Sequence, residues 1–185
     1  MIDVLKGIID KELFDILNRD NSEFSSLDID YHPPHVERIQ TTYGEYRLSF
    51  HIIHPCESSE ALYHPHAWPS AVHVILGKYE MGISHSLDLN ADEETLRKNE
   101  LCKVVVSNGM YYEMLNPHGF HYVRPVTEPV YSIMLIGPKW DTGAPAKKAT
   151  KELKPIDDWR IDEMKKSFKM LNGISIKIKD DGKNS

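Results

Sequence analysis

Apolar residues recur every three or four positions near the start of the chain, at Val4, Leu5, Ile8, Ile9, Leu13, Phe14, Ile16 and Leu17. That stripe predicts an amphipathic helix over 3–19, inside an N-terminal helical segment of 1–22, with Asp3 as a candidate N-cap. From about residue 36 to 137 the period drops to that of strands interrupted by turn residues. The predicted strands are Tyr46–Pro55, Ala71–Leu76, Tyr79–Ser84, Leu101–Ser107, Met110–Leu115, His121–Val126 and Val130–Ile136. The breaks fall at Pro55, Gly77, Ser107-Asn108-Gly109, Pro117-His118-Gly119 and Glu128-Pro129. Many short strands at this spacing imply an antiparallel sandwich or barrel. Asn90-Ala91-Asp92-Glu93 reads as a capping box opening one short helix within a long connection. Beyond Gly143 a Lys/Ala/Pro linker leads to a second amphipathic helix from about Ile156 to Leu171, with Gly173 as its stop. Its stripe of Trp159, Met164 and Phe168 fits core packing or a dimer contact. The alternating ISIKIK tail, Ile174 to Lys179, predicts an edge strand.

Length and composition add limits. With 185 residues the chain is expected to be one domain over 1–185, with the β-structure at 36–140 and the C-terminal helix and tail from 155. Apolar content of 41% and charged content of 27% are ordinary for a globular protein. The net charge of −6 comes without any clustered basic face, which argues against a nucleic-acid partner. Cys56 and Cys102 match no metal or redox spacing, so no disulfide framework and a cytoplasmic location are expected. The start, MIDVLKGIIDKELF, carries acids inside its apolar run and reads as neither signal peptide nor membrane span.

Histidine changes the picture, with ten in the chain, most of them between Tyr31 and His121. In HPHAWPSAVHVILGKYEMGI, His64 and His66 are one residue apart and project from one face of an extended segment, a spacing that suits two ligands of one ion. Neutral imidazoles suit zinc, iron, nickel and copper. Two exposed histidines on a strand edge would give the same pattern.

The wider grammar resembles the cupin family, whose first motif is HxH, a short gap, usually a Glu, and then a Gly at a tight turn. Gly77 stands where that glycine belongs, and Ser70 stands where the Glu would be. The second cupin motif, a Pro-x-Gly turn before one more His, is similar to NPHGFHYV, with Pro117, Gly119 and His121. The resemblance covers roughly residues 38–142. It implies an antiparallel double-stranded β-barrel of the cupin or jelly-roll kind, mainly all-β, with flanking N- and C-terminal helices. It also implies one divalent metal ion per chain held by His64, His66 and His121. Fe(II) leads, and Zn, Ni, Mn or Co remain alternatives.

Without the glutamate, a dication at three neutral histidines keeps its full charge and favours an anionic substrate. The cysteine dioxygenase-like branch of cupins also uses three histidines. GFHYVRPVTEPVYSIMLIGPKWDT looks like a stretch of that branch, and VERIQTTYGEYRLSF resembles the strand bearing its substrate-carboxylate arginine, here Arg38. The branch's Ser-His-Tyr set maps onto Ser132, Met134 and Ile136, so only the serine survives, and Ser70 also replaces any crosslinking cysteine.

Further pocket candidates are His73, Tyr79 and His118, each equally read as a packed or exposed side chain. Tyr63, Tyr111 and Tyr112 are pocket walls or core, and His32 and His35 flank a Pro-Pro pair in an expected loop. The leading expectation is a non-haem iron dioxygenase acting on a small carboxylate, with dioxygen as second substrate, no membrane partner, and a homodimer as a further association. Alternatives are a zinc-type lyase, isomerase or hydrolase, with Glu80, Glu113 or His73 as general base, and a non-catalytic metal-binding sensor.

Overall fold

The computed structural model describes residues 1–30, 33–141 and 152–181. Helices α1 (Ile2–Lys11) and α2 (Leu13–Ile16) come first, then a 3-10 turn at Asn21–Glu23. Strands follow as β1 (Ser25–Ile29), β2 (Val36–Tyr43), β3 (Tyr46–Ile53), β4 (His64–Pro65), β5 (Ser70–Leu76) and β6 (Lys78–His85). Helix α3 (Glu93–Lys98) precedes β7 (Glu100–Ser107), β8 (Tyr111–Met114), β9 (Gly119–Pro125) and β10 (Val130–Ile136), and α4 (Asp158–Asp181) comes last.

Two antiparallel sheets result, one of six strands in the order β1-β2-β3-β10-β5-β8 and one of four in the order β4-β9-β6-β7. From β3 to β10 the chain passes repeatedly between them. They face each other across a shared interior in which Ile53, Val74 and Val130 of the larger sheet meet Tyr79, Met81 and Val106 of the smaller. The expected mainly-β architecture with flanking helices is present, and among the described residues neither sheet closes on itself.

The two faces of the six-stranded sheet do different jobs. Ile39, Leu48, Phe50, Ile52, Ala71, Ile75, Ile133 and Leu135 point outward and bury against Leu5, Ile8, Leu13, Met164 and Phe168 of the helices. The Phe168 ring sits 5.2 Å from that of Phe50, edge on. Each such side chain contributes roughly 1.5–3 kcal/mol on burial, so this layer holds the helices in place. On the far side of the small sheet, Tyr63 and Tyr122 stack edge to face at 5.0 Å, and Leu96 of α3 covers them. The short helix the sequence suggested is present, but its cap is Asp92 and not Asn90: the Asp92 carboxylate accepts from the Thr95 amide at 2.7 Å.

Four local expectations need correction. The N-terminal helix is two pieces, because Glu12 departs from helical geometry (φ −125°) and re-aims Leu13, Ile16 and Leu17 at the sheet, leaving Phe14 exposed. The N-cap is Met1, not Asp3. Strand β1 was not foreseen; it pairs with β2 from Ser25↔Gln40 to Ile29↔Val36. The ISIKIK tail continues α4 instead of adding a strand. Once four turns are formed each further residue adds a hydrogen bond, and one glycine costs only about 1 kcal/mol. In the predicted stripe Met164 and Phe168 are core, whereas Trp159 is exposed. The Lys/Ala/Pro linker and His32 lie outside the described residues.

Candidate metal centre

His64 and His121 are 57 positions apart in sequence yet are direct partners across the β4–β9 ladder. β4 is an edge strand, where Pro65 removes no needed hydrogen bond, and His66 follows it. The ligand nitrogens of His64, His66 and His121 lie within 4.8 Å of one another. The tight turn at Gly77 (φ +88°) sends the chain from β5 to β6, which brackets β9 from the other side.

Hydrogen bonds select the tautomers. The Nδ1 of His64 lies 3.2 Å from the carbonyl of Leu62 and that of His121 lies 3.4 Å from the Met81 sulfur. With those Nδ1 atoms donating, each Nε2 presents a lone pair. The Nε2 atoms of His66 and His121 are 2.8 Å apart. Two lone pairs at that distance repel unless a proton or a cation lies between them. Neighbouring ligands held at about 2.1 Å by one ion are separated by about 3 Å, so the arrangement fits a divalent metal. Burial, then the neighbouring His64 and His51, depresses the His66 pKa to about 3. Burial and the same cluster hold His121 well below the usual histidine value. Both rings are therefore neutral at pH 7, the state a metal requires.

These imidazoles open onto a cavity of about 290 Å³ between the sheets. The inner face of the large sheet forms its opposite wall, ruled into rows by the strand register. One row runs Arg38, His51, Ser132, Val74, the next Gln40, Ser49, Met134, Val72, Tyr112, and the next Thr42, Arg47, Ile136, Ser70, Met114. Among the described residues Arg38 is the one cationic side chain lining the cavity, and no carboxylate lines it.

The cavity brings Arg38, Tyr79 and Ser132 together with the three histidines. Ser70 is on the same inner face, fully buried with its Oγ unpartnered, but on the sheet opposite the histidines and outside the cavity lining. His73 points to the helix side of β5, where it stacks on Tyr111 at 4.0 Å. His118 is in the turn before β9, away from the cavity, with its ring 6.1 Å from that of His85. The general-base candidates are also elsewhere: Glu80 accepts from the Tyr122 hydroxyl at 2.8 Å and Glu113 from the Ile2 amide at 2.6 Å.

Sequence reasoning missed His51 and Trp68 and left Tyr112 between pocket wall and core, where the structure makes it part of the cavity wall. His51 is next to Arg38 across the β2–β3 ladder, and burial followed by the Arg38 charge lowers its pKa to about 3. The Tyr79 hydroxyl donates to Tyr112 at 2.7 Å. Burial pushes the Tyr112 phenol up to about 12, a rise that the Tyr79 bond opposes. The signal for His51 lay in β3, where Arg47, Ser49 and His51 alternate with Leu48, Phe50 and Ile52.

No family model matches the chain, and no curated protein matches it. Solved structures do. A hydroxypropylphosphonic acid epoxidase from S. wedmorenis is 13% identical with a TM-score of 0.47, the match covering 64% of this chain and 57% of that one. A structure of FeII HppE is 12% identical with a TM-score of 0.48, over 64% of this chain and 58% of the other. An Fe(II)-HppE with the alternative substrate (S)-1-HPP gives 13% and 0.48 over the same shares. The chain thus spans less than two thirds of the length of these structures, and at such identity and TM-score the likeness assigns it neither family nor activity.

Proposed function

We propose that the protein is a cupin-type, metal-dependent oxygenase of the cysteine dioxygenase-like kind, with Fe(II) at His64, His66 and His121 and a small carboxylate as substrate. One observation carries this reading: three imidazoles converge on a walled cavity whose lining holds one guanidinium and, among the described residues, no carboxylate. When bound, iron at such a site supplies a redox-active Lewis acid with open positions for substrate and dioxygen.

The chain's own residues bind and orient. Arg38 presents a planar fork that matches a carboxylate in two parallel hydrogen bonds. His51, neutral beside it, adds a directed hydrogen-bonding group. Tyr79 satisfies the Tyr112 oxygen, which leaves the Tyr112 proton for donation into the cavity both residues line. The apolar remainder of the lining keeps bulk water out and strengthens the Arg38 interaction. The zinc-hydrolase reading is weaker, because the carboxylates it would use as base are engaged outside the cavity.

Elemental analysis after anaerobic purification tests the metal, with iron near one per chain expected and lost in His64→Ala, His66→Ala and His121→Ala. Arg38→Lys should raise KM for a carboxylate about tenfold or more at unchanged iron content. Stoichiometric zinc without dioxygen uptake would overturn the oxygenase reading.

A further inference from the structure

The carboxylate reading says nothing about the rest of the substrate, but the register of the large sheet does. Among the lining residues the charge is confined to one row, where Arg38 and His51 are neighbours; Arg47, two rows on, is outside the lining, with its guanidinium 4.4 Å from the centre of the Trp68 ring. Rows on one face are two residues apart along the strands, about 7 Å. One row on, towards β5 and β8, the lining is Met134 and Val72, and one further it is Ile136 and Met114, with Trp68 packed against them. That stretch of the lining is mostly apolar and carries no charged side chain, the Tyr112 hydroxyl and the Trp68 indole being its polar groups. A zwitterionic amino acid would bring an ammonium group into a cavity that already holds a guanidinium and is built for a dication. No described carboxylate lines the cavity to receive it.

We infer that the cavity selects a carboxylic acid whose other end is apolar, an alkyl- or aryl-substituted acid without an ammonium group. The carboxylate sits at Arg38 and His51, and the tail runs along the sheet over Met134 and Val72 towards Ile136 and Trp68. The tail reaches one to two rows, the length of a short alkyl chain or one aromatic ring. This rests on the carboxylate reading of Arg38 above, and the test separates the two.

The protein, with the metal it retains on purification, is titrated calorimetrically with propionate, hexanoate, 3-phenylpropanoate, phenylalanine and 3-phenylpropanamide. A buried methylene favours binding by about fourfold, so hexanoate and 3-phenylpropanoate should bind at least tenfold tighter than propionate. Phenylalanine and the amide should each bind at least tenfold more weakly than 3-phenylpropanoate. Met134→Gln, near in size but polar, should shrink the hexanoate-to-propionate ratio. Equal affinity for propionate and hexanoate, or phenylalanine binding as tightly as 3-phenylpropanoate, overturns the apolar-tail assignment and leaves the carboxylate site standing. An amide as tight as the acid, or no binding by any of the five, overturns both. The ligand series alone decides the matter if Met134→Gln does not fold.

Discussion

His51 is a half-buried imidazole in the row that carries the permanent positive charge of Arg38, and its protonation is suppressed by desolvation and by Arg38. A histidine whose pKa is depressed in the folded chain takes up a proton more readily once unfolded. Its effect on stability is therefore unfavourable below about pH 6.5 and grows as pH falls towards about 3. Metal-stripped protein should lose stability between pH 7.5 and pH 5, and His51→Gln should lose less, by about 1–2 kcal/mol. Urea midpoints at the two pH values measure this; identical losses would mean that His51 is not held neutral. At this scale the sequence was partly legible. His64, His66 and His121 stood out because their spacing and the turn around Gly119 have a recognisable form. His51 did not, because a polar residue alternating with Leu48, Phe50 and Ile52 looks the same whether its face meets water or a cavity. His73 misled for the opposite reason, since one step along β5 separates the cavity face from the helix face.

Among the elements, β6 is confined from several sides. It is hydrogen-bonded on both sides, to β7 and to β9, the strand that carries His121. At Gly82 a Cβ would meet the Tyr122 ring, with Cζ at 2.7 Å, and the Tyr63 hydroxyl at 2.6 Å. Those tyrosines are fixed by Glu80 and Glu100 at 2.8 and 2.6 Å, so neither yields cheaply. Gly82→Ala should cost about 1–3 kcal/mol by overpacking, which is roughly 3–10 °C in Tm for a chain of this size. An unchanged melting temperature would show that the tyrosine pair can move. Strand positions were readable here because turn residues punctuate them; Val130–Ile136 has the same limits in sequence and structure. The ISIKIK tail was not, because alternation specifies a strand only where a sheet edge receives it.

The whole molecule depends on how the helical layer is anchored to the sheet whose other face lines the cavity. Arg160 of α4 grips Glu37 of β2 with two hydrogen bonds, 2.6 and 2.7 Å, and His54 adds a third at 3.0 Å. Burial pushes the Glu37 carboxyl up, but the bonds from Arg160 and His54 outweigh it and leave the pKa below the ordinary value. Arg160→Met should strand a mostly buried carboxylate and cost about 1–3 kcal/mol. Metal content should stay unchanged, because the ligands belong to the other sheet. Loss of metal together with stability would show that the two layers are coupled more tightly than their contacts indicate.

The large sheet is two-sided in a way that matters for heritable change. Along β10, Ile133 and Leu135 belong to the helix-facing core, while Ser132, Met134 and Ile136 face the cavity. A lineage acquiring a new substrate can therefore vary every second residue of a strand while the residues between keep the molecule folded. The same alternation carries a hazard, since insertion of one residue into β10 would exchange the two sets at a stroke, putting apolar anchors in the cavity and the serine in the core. Point substitution is the accessible route to new specificity in such an architecture, and length change within its strands is the forbidden one.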